Sequence, residues 1–321
     1  MIFFISFNFN FYILVDLKKA IDNYIYYYIY NRIKVKIKGL SHLIYRLHYL
    51  IRNYLYTVIH LRFNLELKSF FHISNFILFF TLKDKIDIMF NRVDYMLERT
   101  ILIVKDKIEL IKNAKILIIG IGGVGSYALE TLVRTGFSNI TIVDSDIVDI
   151  TNLNRQLMSL NSNIGLPKVD VFEKRIKDIN PNCKVLKIQK FITKENIGEL
   201  FNIKYDYVID ACDTIDTKKE LIKYCLNNKI KIISSMGMGN RLDNTKIKLT
   251  TLDKTTYDPL AKKLRQILRK ENISLKIPVV CSFEEPIKNN KIGSLAYVTG
   301  TAGLLITNYI VNDLLGELCQ N

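Results

Sequence analysis

Lys115-Ile116-Leu117-Ile118-Ile119-Gly120-Ile121-Gly122-Gly123-Val124-Gly125-Ser126 is the stretch that decides the fold. The apolar run Lys115–Ile119 reads as a short parallel strand buried on both faces. It enters a turn lined by Gly120, Gly122, Gly123 and Gly125, and a helical stretch, Ser126–Arg134, runs on until Gly136 stops it. A glycine turn between strand and helix brings backbone N–H groups against a phosphate. No side chain stands where the ligand approaches, and the helix N-terminus adds partial positive charge. A second strand, Asn139–Val143, ends at Asp144, which is placed to bind ribose hydroxyls. To this point a dinucleotide-dependent oxidoreductase fits equally well.

Outward from this unit the pattern continues to alternate. Lys168–Ile179 reads as a helix closed by Asn180-Pro181, and Val185–Ile188 and Tyr205–Ile209 read as strands. The helix Thr217–Asn227 precedes a further strand, Ile230–Ser234. Such alternation predicts an α/β fold: a doubly wound, Rossmann-like, mostly parallel sheet with helices on both faces. Its ligand belongs beyond the carboxyl ends of the strands. After Gly239 the pattern changes. Thr245–Leu252 alternates like an exposed strand, Pro259–Lys270 is a basic amphipathic helix, and Ile277–Cys281 is another short strand. The final apolar segment, Ala296–Leu315, contains Asn308, Asn312 and Asp313, which favours a buried helix packed on the sheet over a membrane span.

The residues after Asp144 separate the nucleotide chemistries. The chain reads Asp144-Ser145-Asp146-Ile147-Val148-Asp149-Ile150-Thr151-Asn152-Leu153-Asn154-Arg155-Gln156 and then Gly165-Leu166-Pro167-Lys168. Two cations, Arg155 and Lys168, are delivered to the crevice that the glycine turn opens. A lone arginine or lysine is usually a surface charge. Two beside a phosphate-binding turn suit an enzyme that splits ATP between its α- and β-phosphates, where negative charge grows on the departing pyrophosphate.

Taken together, Gly-x-Gly-Gly-x-Gly-Ser, Asp-x-Asp, Asn-Leu-Asn-Arg-Gln and Gly-x-x-Lys resemble the signature of the ThiF/MoeB/ubiquitin-activating (E1-like) superfamily. That resemblance implies an ATP-binding adenylation domain over 89–321. Asp144 would hold the ribose beside Asp146; Asn152, Arg155 and Gln156 would line the phosphates; Lys168 would stabilise the leaving pyrophosphate. Asp213, in Asp210-Ala211-Cys212-Asp213, would coordinate Mg²⁺. Arg99, in Glu98-Arg99-Thr100, matches the family arginine that reaches the phosphates, often across a homodimer interface. The family usually has glycine where Val104 stands.

Sulfur-carrier-activating members generally carry paired C-x-x-C zinc motifs, and ubiquitin-activating enzymes a catalytic cysteine domain; this sequence has neither. Lys254-Thr255-Thr256-Tyr257-Asp258-Pro259-Leu260-Ala261-Lys262-Lys263-Leu264-Arg265 and Ser282-Phe283-Glu284-Glu285-Pro286-Ile287 instead resemble the tRNA threonylcarbamoyladenosine dehydratase group. The resemblance implies that ATP adenylates the threonine carboxylate of the modified tRNA nucleoside. The neighbouring carbamoyl group then closes a five-membered ring, releasing AMP. Intramolecular attack brings a large effective molarity, so no enzyme nucleophile is needed. The alternatives are an enzyme activating a ubiquitin-like sulfur-carrier protein, with a sulfurtransferase or carrier as partner, and an NAD-dependent oxidoreductase.

Composition divides the chain near residue 88. All four histidines precede that point, and all five prolines and five cysteines follow it. Residues 1–88 hold one glycine and one alanine, and are dominated by Phe, Tyr, Ile, Asn and Lys. A folded domain needs turns and helix stops. The uncharged runs Met1–Val15 and Ser69–Leu82 also fall short of the ~18–20 residues of a spanning helix. We read 1–88 as translated upstream sequence with the natural start at Met89, against a membrane-associating extension. The formal net charge of +15 divides into +7 for 1–88 and +8 for 89–321, a basic surplus that suits a polyanionic partner such as RNA or a nucleotide, or a solvated lysine-rich surface. The helix Pro259–Lys270 has the same two readings. No histidine follows residue 88, which argues against histidine-based acid/base or triad chemistry. Cys183, Cys212, Cys225, Cys281 and Cys319 form no C-x-x-C pair and read as mostly buried thiols of a cytoplasmic protein.

Overall fold

β1 (Lys115–Ile119) pairs in parallel with β2 (Asn139–Val143) on one side and β4 (Tyr207–Asp210) on the other. The computed structural model, which describes residues 96–316, extends this centre into a seven-stranded sheet of order β3-β2-β1-β4-β5-β7-β6. β3 is Lys184–Ile188, β5 Lys231–Ser235, β6 Ile247–Thr251 and β7 Pro278–Ser282. All neighbours are parallel except β6, which runs antiparallel to β7 at the edge. The strand order reverses between β1 and β4. Chain connections leave that point in opposite directions and open a crevice over the strand ends.

Each face of the sheet has its own apolar layer, as the period of two in a strand dictates. Ile116 and Ile118 of β1 pack with Ile140 and Ile142 against α3 (Gly125–Thr135), α4 (Lys168–Ile179) and α7 (Ala296–Leu315). Leu117 and Ile119 face the other way, toward Leu221, Ile222 and Cys225 of α5 (Ile215–Asn227) and Leu264 and Leu268 of α6 (Pro259–Lys270). Residues 96–104 (α1) and Ile108–Asn113 (α2), joined by a single 3₁₀ turn, lead into β1. The sequence pattern assigns no element there.

Boundaries follow local chemistry. α3 ends where Gly136, at φ +118°, turns left-handed and its N–H returns to Leu132 and Val133. Asp258 caps α6 by accepting from the Ala261 N–H, with Pro259 in the first turn. The strand expected at Tyr205–Ile209 is Tyr207–Asp210: Tyr205 turns inward instead and donates its hydroxyl to Thr141 Oγ1. α5 starts two residues earlier than expected, which buries Thr217 and Lys218 in its first turns. The edge strand contracts from Thr245–Leu252 to Ile247–Thr251, because Asn244–Lys246 and Leu252–Lys254 close into 3₁₀ turns.

α7 packs chiefly on α3 rather than on the sheet alone. Gly303 lies so close to α3 that a Cβ there would stand 2.6 Å from the Val124 carbonyl oxygen, and Thr307 donates to the Ala128 carbonyl. Among the described residues no helix is long and apolar enough to cross a membrane. The segment 1–88, its proposed boundary and Cys319 lie outside the described residues.

Candidate active site

A cleft of about 1250 Å³ opens over the carboxyl ends of the strands, at the point where the strand order reverses. Its floor is the glycine turn. Gly120 has φ +83°, and a Cβ there would stand 2.7 Å from the Ala211 carbonyl oxygen, so only glycine lets the turn pass the end of β4. The Gly120 N–H is tied to Val143, and the Ala211 N–H to Ile119. Gly122 and Gly123 line the cleft, and their N–H groups meet no acceptor among the described residues. They are donors left for an anion, at the start of α3.

Asp144 closes one wall. Its Oδ2 accepts from the Ile121 N–H at 2.9 Å and its Oδ1 from the Asp146 N–H at 2.9 Å. Burial pushes its pKa above the ordinary carboxylate value. The Lys168 cation and the two backbone donors only partly offset that. Lys168 is the first residue of α4 and is itself buried. Its ammonium donates to Asp146 Oδ2 at 2.7 Å and lies 4.0 Å from Asp144 Oδ1. Burying an ammonium at a helix N-terminus works against both solvation and the helix dipole.

The crossover after Asp146 is shaped by its own side chains. Asp149 and Asn152 cap each other's backbone around a 3₁₀ turn, which delivers Arg155 and Gln156 to the cleft. The Arg155 guanidinium is braced on the Thr151 carbonyl at 2.8 Å and on Asn154 Oδ1 at 3.0 Å. The amide of Gln156 lies under Gly122, and its buried Oε1 meets no donor among the described residues. A hydroxyl or water must supply that donor. Opposite, Asp213 lines the cleft and is exposed, with the Thr214 hydroxyl 3.5 Å from its carboxylate.

One cleft therefore gathers Gly120, Gly122, Gly123, Asp144, Asp146, Asn152, Arg155, Gln156, Lys168 and Asp213. Gly125 stands behind it, its Cα packed against Gly120 so closely that no side chain fits. Arg99 is not brought there: it is exposed on α1 and does not line this chain's cleft.

Two groups escape a reading of the sequence. Lys218 and Asp210 form a fully buried ion pair at 3.0 Å beneath the cleft. The same ammonium donates to the Ser235 carbonyl at 2.7 Å, and Ser234 donates to Asp210. The signal is present: Lys218 occupies the apolar stripe of α5 with Leu221, Ile222 and Cys225. The second is Arg241, which is 3% exposed and donates through Nη2 to the Tyr257 carbonyl at 2.9 Å. The described cysteines are poor nucleophiles. Burial, reinforced by Asp210, holds the Cys212 thiol well above its usual value, and burial pushes Cys281 up to about 12.

Comparison with known proteins points the same way. The model of the ThiF family matches residues 97–320. Over 233 residues the chain is 42% identical to the tRNA threonylcarbamoyladenosine dehydratase of Bacillus subtilis, covering 67% of this chain and 92% of that protein. It is 44% identical over 181 residues to the Escherichia coli protein of the same name, covering 55% and 68%. The crystal structure of the E. coli tRNA N6-threonylcarbamoyladenosine dehydratase in complex with ATP superposes with a TM-score of 0.67. That match is 36% identical and covers 71% of this chain and 96% of the other.

Proposed function

The chain belongs to the ThiF family, and from that premise we propose that it is an ATP-dependent tRNA threonylcarbamoyladenosine dehydratase. The observation that carries the reading is the meeting of a phosphate-binding turn with Arg155, Lys168 and Asp213 around one cleft. A threonine carboxylate oxygen attacks the α-phosphorus of ATP, and the bond to pyrophosphate breaks. The carbamoyl group next attacks the acyl carbon, and the bond to AMP breaks. The oxygen of the lost water leaves on AMP.

In this scheme the turn N–H groups and Asn152 hold phosphate oxygens, while Asp144 accepts from the ribose hydroxyls. Arg155 and Lys168 meet the charge that develops on the leaving pyrophosphate. Asp213 offers an exposed carboxylate to Mg²⁺, which supplies charge neutralisation when bound with the polyphosphate. No group of three acidic, histidine or cysteine side chains suited to a metal occurs among the described residues. That fits a cation held by one carboxylate, phosphates and water. Ring closure within one substrate needs positioning rather than a nucleophile. Arg99 shares exposed α1 with Leu102, 56% exposed, and Ile103, 82% exposed, which supports a homodimer through this helix with Arg99 serving the partner's cleft. We assign the protein to the cytoplasm.

The full chain, incubated with ATP, Mg²⁺ and tRNA bearing the linear modification, is expected to lower the nucleoside mass by one water. Arg155→Ala and Asp213→Ala should abolish the change. An unchanged nucleoside with the wild-type chain sinks the proposal.

ATP affinity should also depend on acid. Ionised, Asp144 offers both carboxylate oxygens as acceptors; protonation turns one of them into a donor, and burial raises the pKa at which this happens above the ordinary value. As pH falls, it takes up a proton earlier than a surface aspartate, and ATP binding weakens. Equilibrium dialysis across this range should show that step in the wild type and not in Asp144→Asn, which binds weakly throughout. An identical pH profile for the two proteins would contradict the role.

A further inference from the structure

We infer that Asn154 is a positioning residue for adenylation: it aims the Arg155 guanidinium and ties it to the cleft-lining segment that precedes α7. The inference rests on the role proposed for Arg155 and adds the group that holds that side chain in place. Asn154 itself lines the cleft. Its Oδ1 accepts from Arg155 Nη1 at 3.0 Å, and its Nδ2 donates at 2.9 Å to the carbonyl of Ser294, 140 residues further along the chain. Only one orientation of the amide serves both partners, because a guanidinium can only donate and a carbonyl can only accept.

A free arginine side chain samples many rotamers, whereas a cation that meets developing charge has to be aimed before the charge appears. Both bonds that hold Arg155 run through Nη1, to Asn154 and to the Thr151 carbonyl at 2.8 Å. Nη1 carries two N–H groups, so this nitrogen is fully used. Nη2 and Nε donate to nothing among the described residues. They form the parallel pair of a fork that takes two phosphate oxygens. The Thr151 carbonyl alone is a single pivot about which the guanidinium can swing. Asn154 supplies the second point that fixes it.

The bond to Ser294 sets where that second point stands. The segment that ends there is fixed from its other side: the Gly293 N–H donates to Asn240 Oδ1 at 2.6 Å, and the Asn240 N–H to the Gly293 carbonyl at 2.9 Å. Just beyond Ser294, α7 begins. Its Thr299 sits so close to the glycine turn that a Cβ on Gly123 would stand 3.2 Å from the Thr299 Cγ2. Arg155 is thereby referenced to the phosphate-binding turn through α7, independently of the 3₁₀ turn that carries it along the crossover. Asn154 is exposed, so water competes for its bonds and their contribution to stability is small. Rate is more sensitive than stability, since a misplacement of ~1 Å at a reacting centre costs up to about 10²-fold.

Pyrophosphate–ATP exchange by the full chain, with tRNA bearing the linear modification present, tests this beside thermal unfolding. Asn154→Ala is expected to lower kcat about tenfold and leave the ATP KM within about threefold, because the guanidinium acts on charge that grows only in the transition state. Asn154→Asp keeps an acceptor for Arg155 but loses the donor to Ser294, and its rate should stay near that of Asn154→Ala. In an Arg155→Lys background, where one nitrogen replaces the fork, Asn154→Ala should cost less than about twofold more, since the group it aims is gone. The melting temperature of Asn154→Ala should stay within about 2 °C of the wild type, as for an exposed side chain. A loss of about tenfold in both backgrounds would overturn the inference, and so would a KM that rises in step with the fall in kcat. A wild-type rate in Asn154→Asp would overturn the tie to Ser294. Wild-type exchange in Asn154→Ala removes this inference alone, whereas a wild-type chain that gives no exchange removes it together with the functional reading.

Discussion

Replacing Lys168 by alanine is expected to slow adenylate formation by about 10²–10³-fold while moving ATP affinity far less. The Lys168 side chain is 5% exposed and its partner Asp146 is 64% exposed. An ion pair with one member so open to water contributes little stability. On the role proposed for it, burial of the ammonium has its return elsewhere, in charge held ready for the pyrophosphate. A fixed cation that strengthens its contact only as the leaving group gains charge lowers the barrier rather than the ground state. Loss of the cation also leaves Asp144 and Asp146 facing the same phosphates, and Asp144, already raised by burial, loses the charge that lowered it. Lys168→Arg should recover only part of the rate, because a planar fork cannot occupy a site shaped for a compact ammonium. Pyrophosphate–ATP exchange in the presence of modified tRNA reads the rate, and equilibrium dialysis reads the affinity. Exchange within tenfold of the wild type in Lys168→Ala would end the leaving-group role.

Lys168 and the glycine turn are legible in the sequence because their meaning is local. A strand, a glycine turn and a helix follow one another without interruption, and α4 opens on Lys168 immediately after Pro167. α6 and α7 can be bounded to the residue for the same reason: Asp258 with Pro259 begins one, and Gly316, at φ +75°, ends the other. The features that stay hidden depend on chain segments far apart. Tyr205 looks like strand because it is apolar and follows a turn. Its place is set by Thr141, sixty-four residues away, which accepts its hydroxyl. Arg241 looks like one more surface cation until Tyr257 and the buried loop around it are in place. Arg99 shows the opposite limit. The motif around it is readable, but one chain does not carry it to the cleft.

Lys218→Met is expected to destabilise the fold by about 3–5 kcal/mol, since it strands the Asp210 carboxylate in a dry interior. Both side chains are 0% exposed, and the ammonium also satisfies Ser234 Oγ and the Ser235 carbonyl. Removing it takes the charged donor from three acceptors at once, leaving Asp210 only its neutral donors, Ser234 and Cys212, and the melting temperature should fall by on the order of 10 °C. Adding Asp210→Asn should return a large part of the loss, because the uncompensated charge goes even though hydrogen bonds remain unmade. The double variant should nonetheless stay catalytically impaired. Asp210 and Lys218 tie the end of β4 to the end of β5, and those ends lead directly into Asp213 on one side and Met236-Gly237 on the other. Stability recovered without activity is the signature of a pair that keeps the cleft's two walls in register, and thermal unfolding beside the mass assay on the same samples reads both. If Lys218→Met melts within about 2 °C of the wild type, a shift corresponding to under ~1 kcal/mol, the pair is not the brace its burial implies.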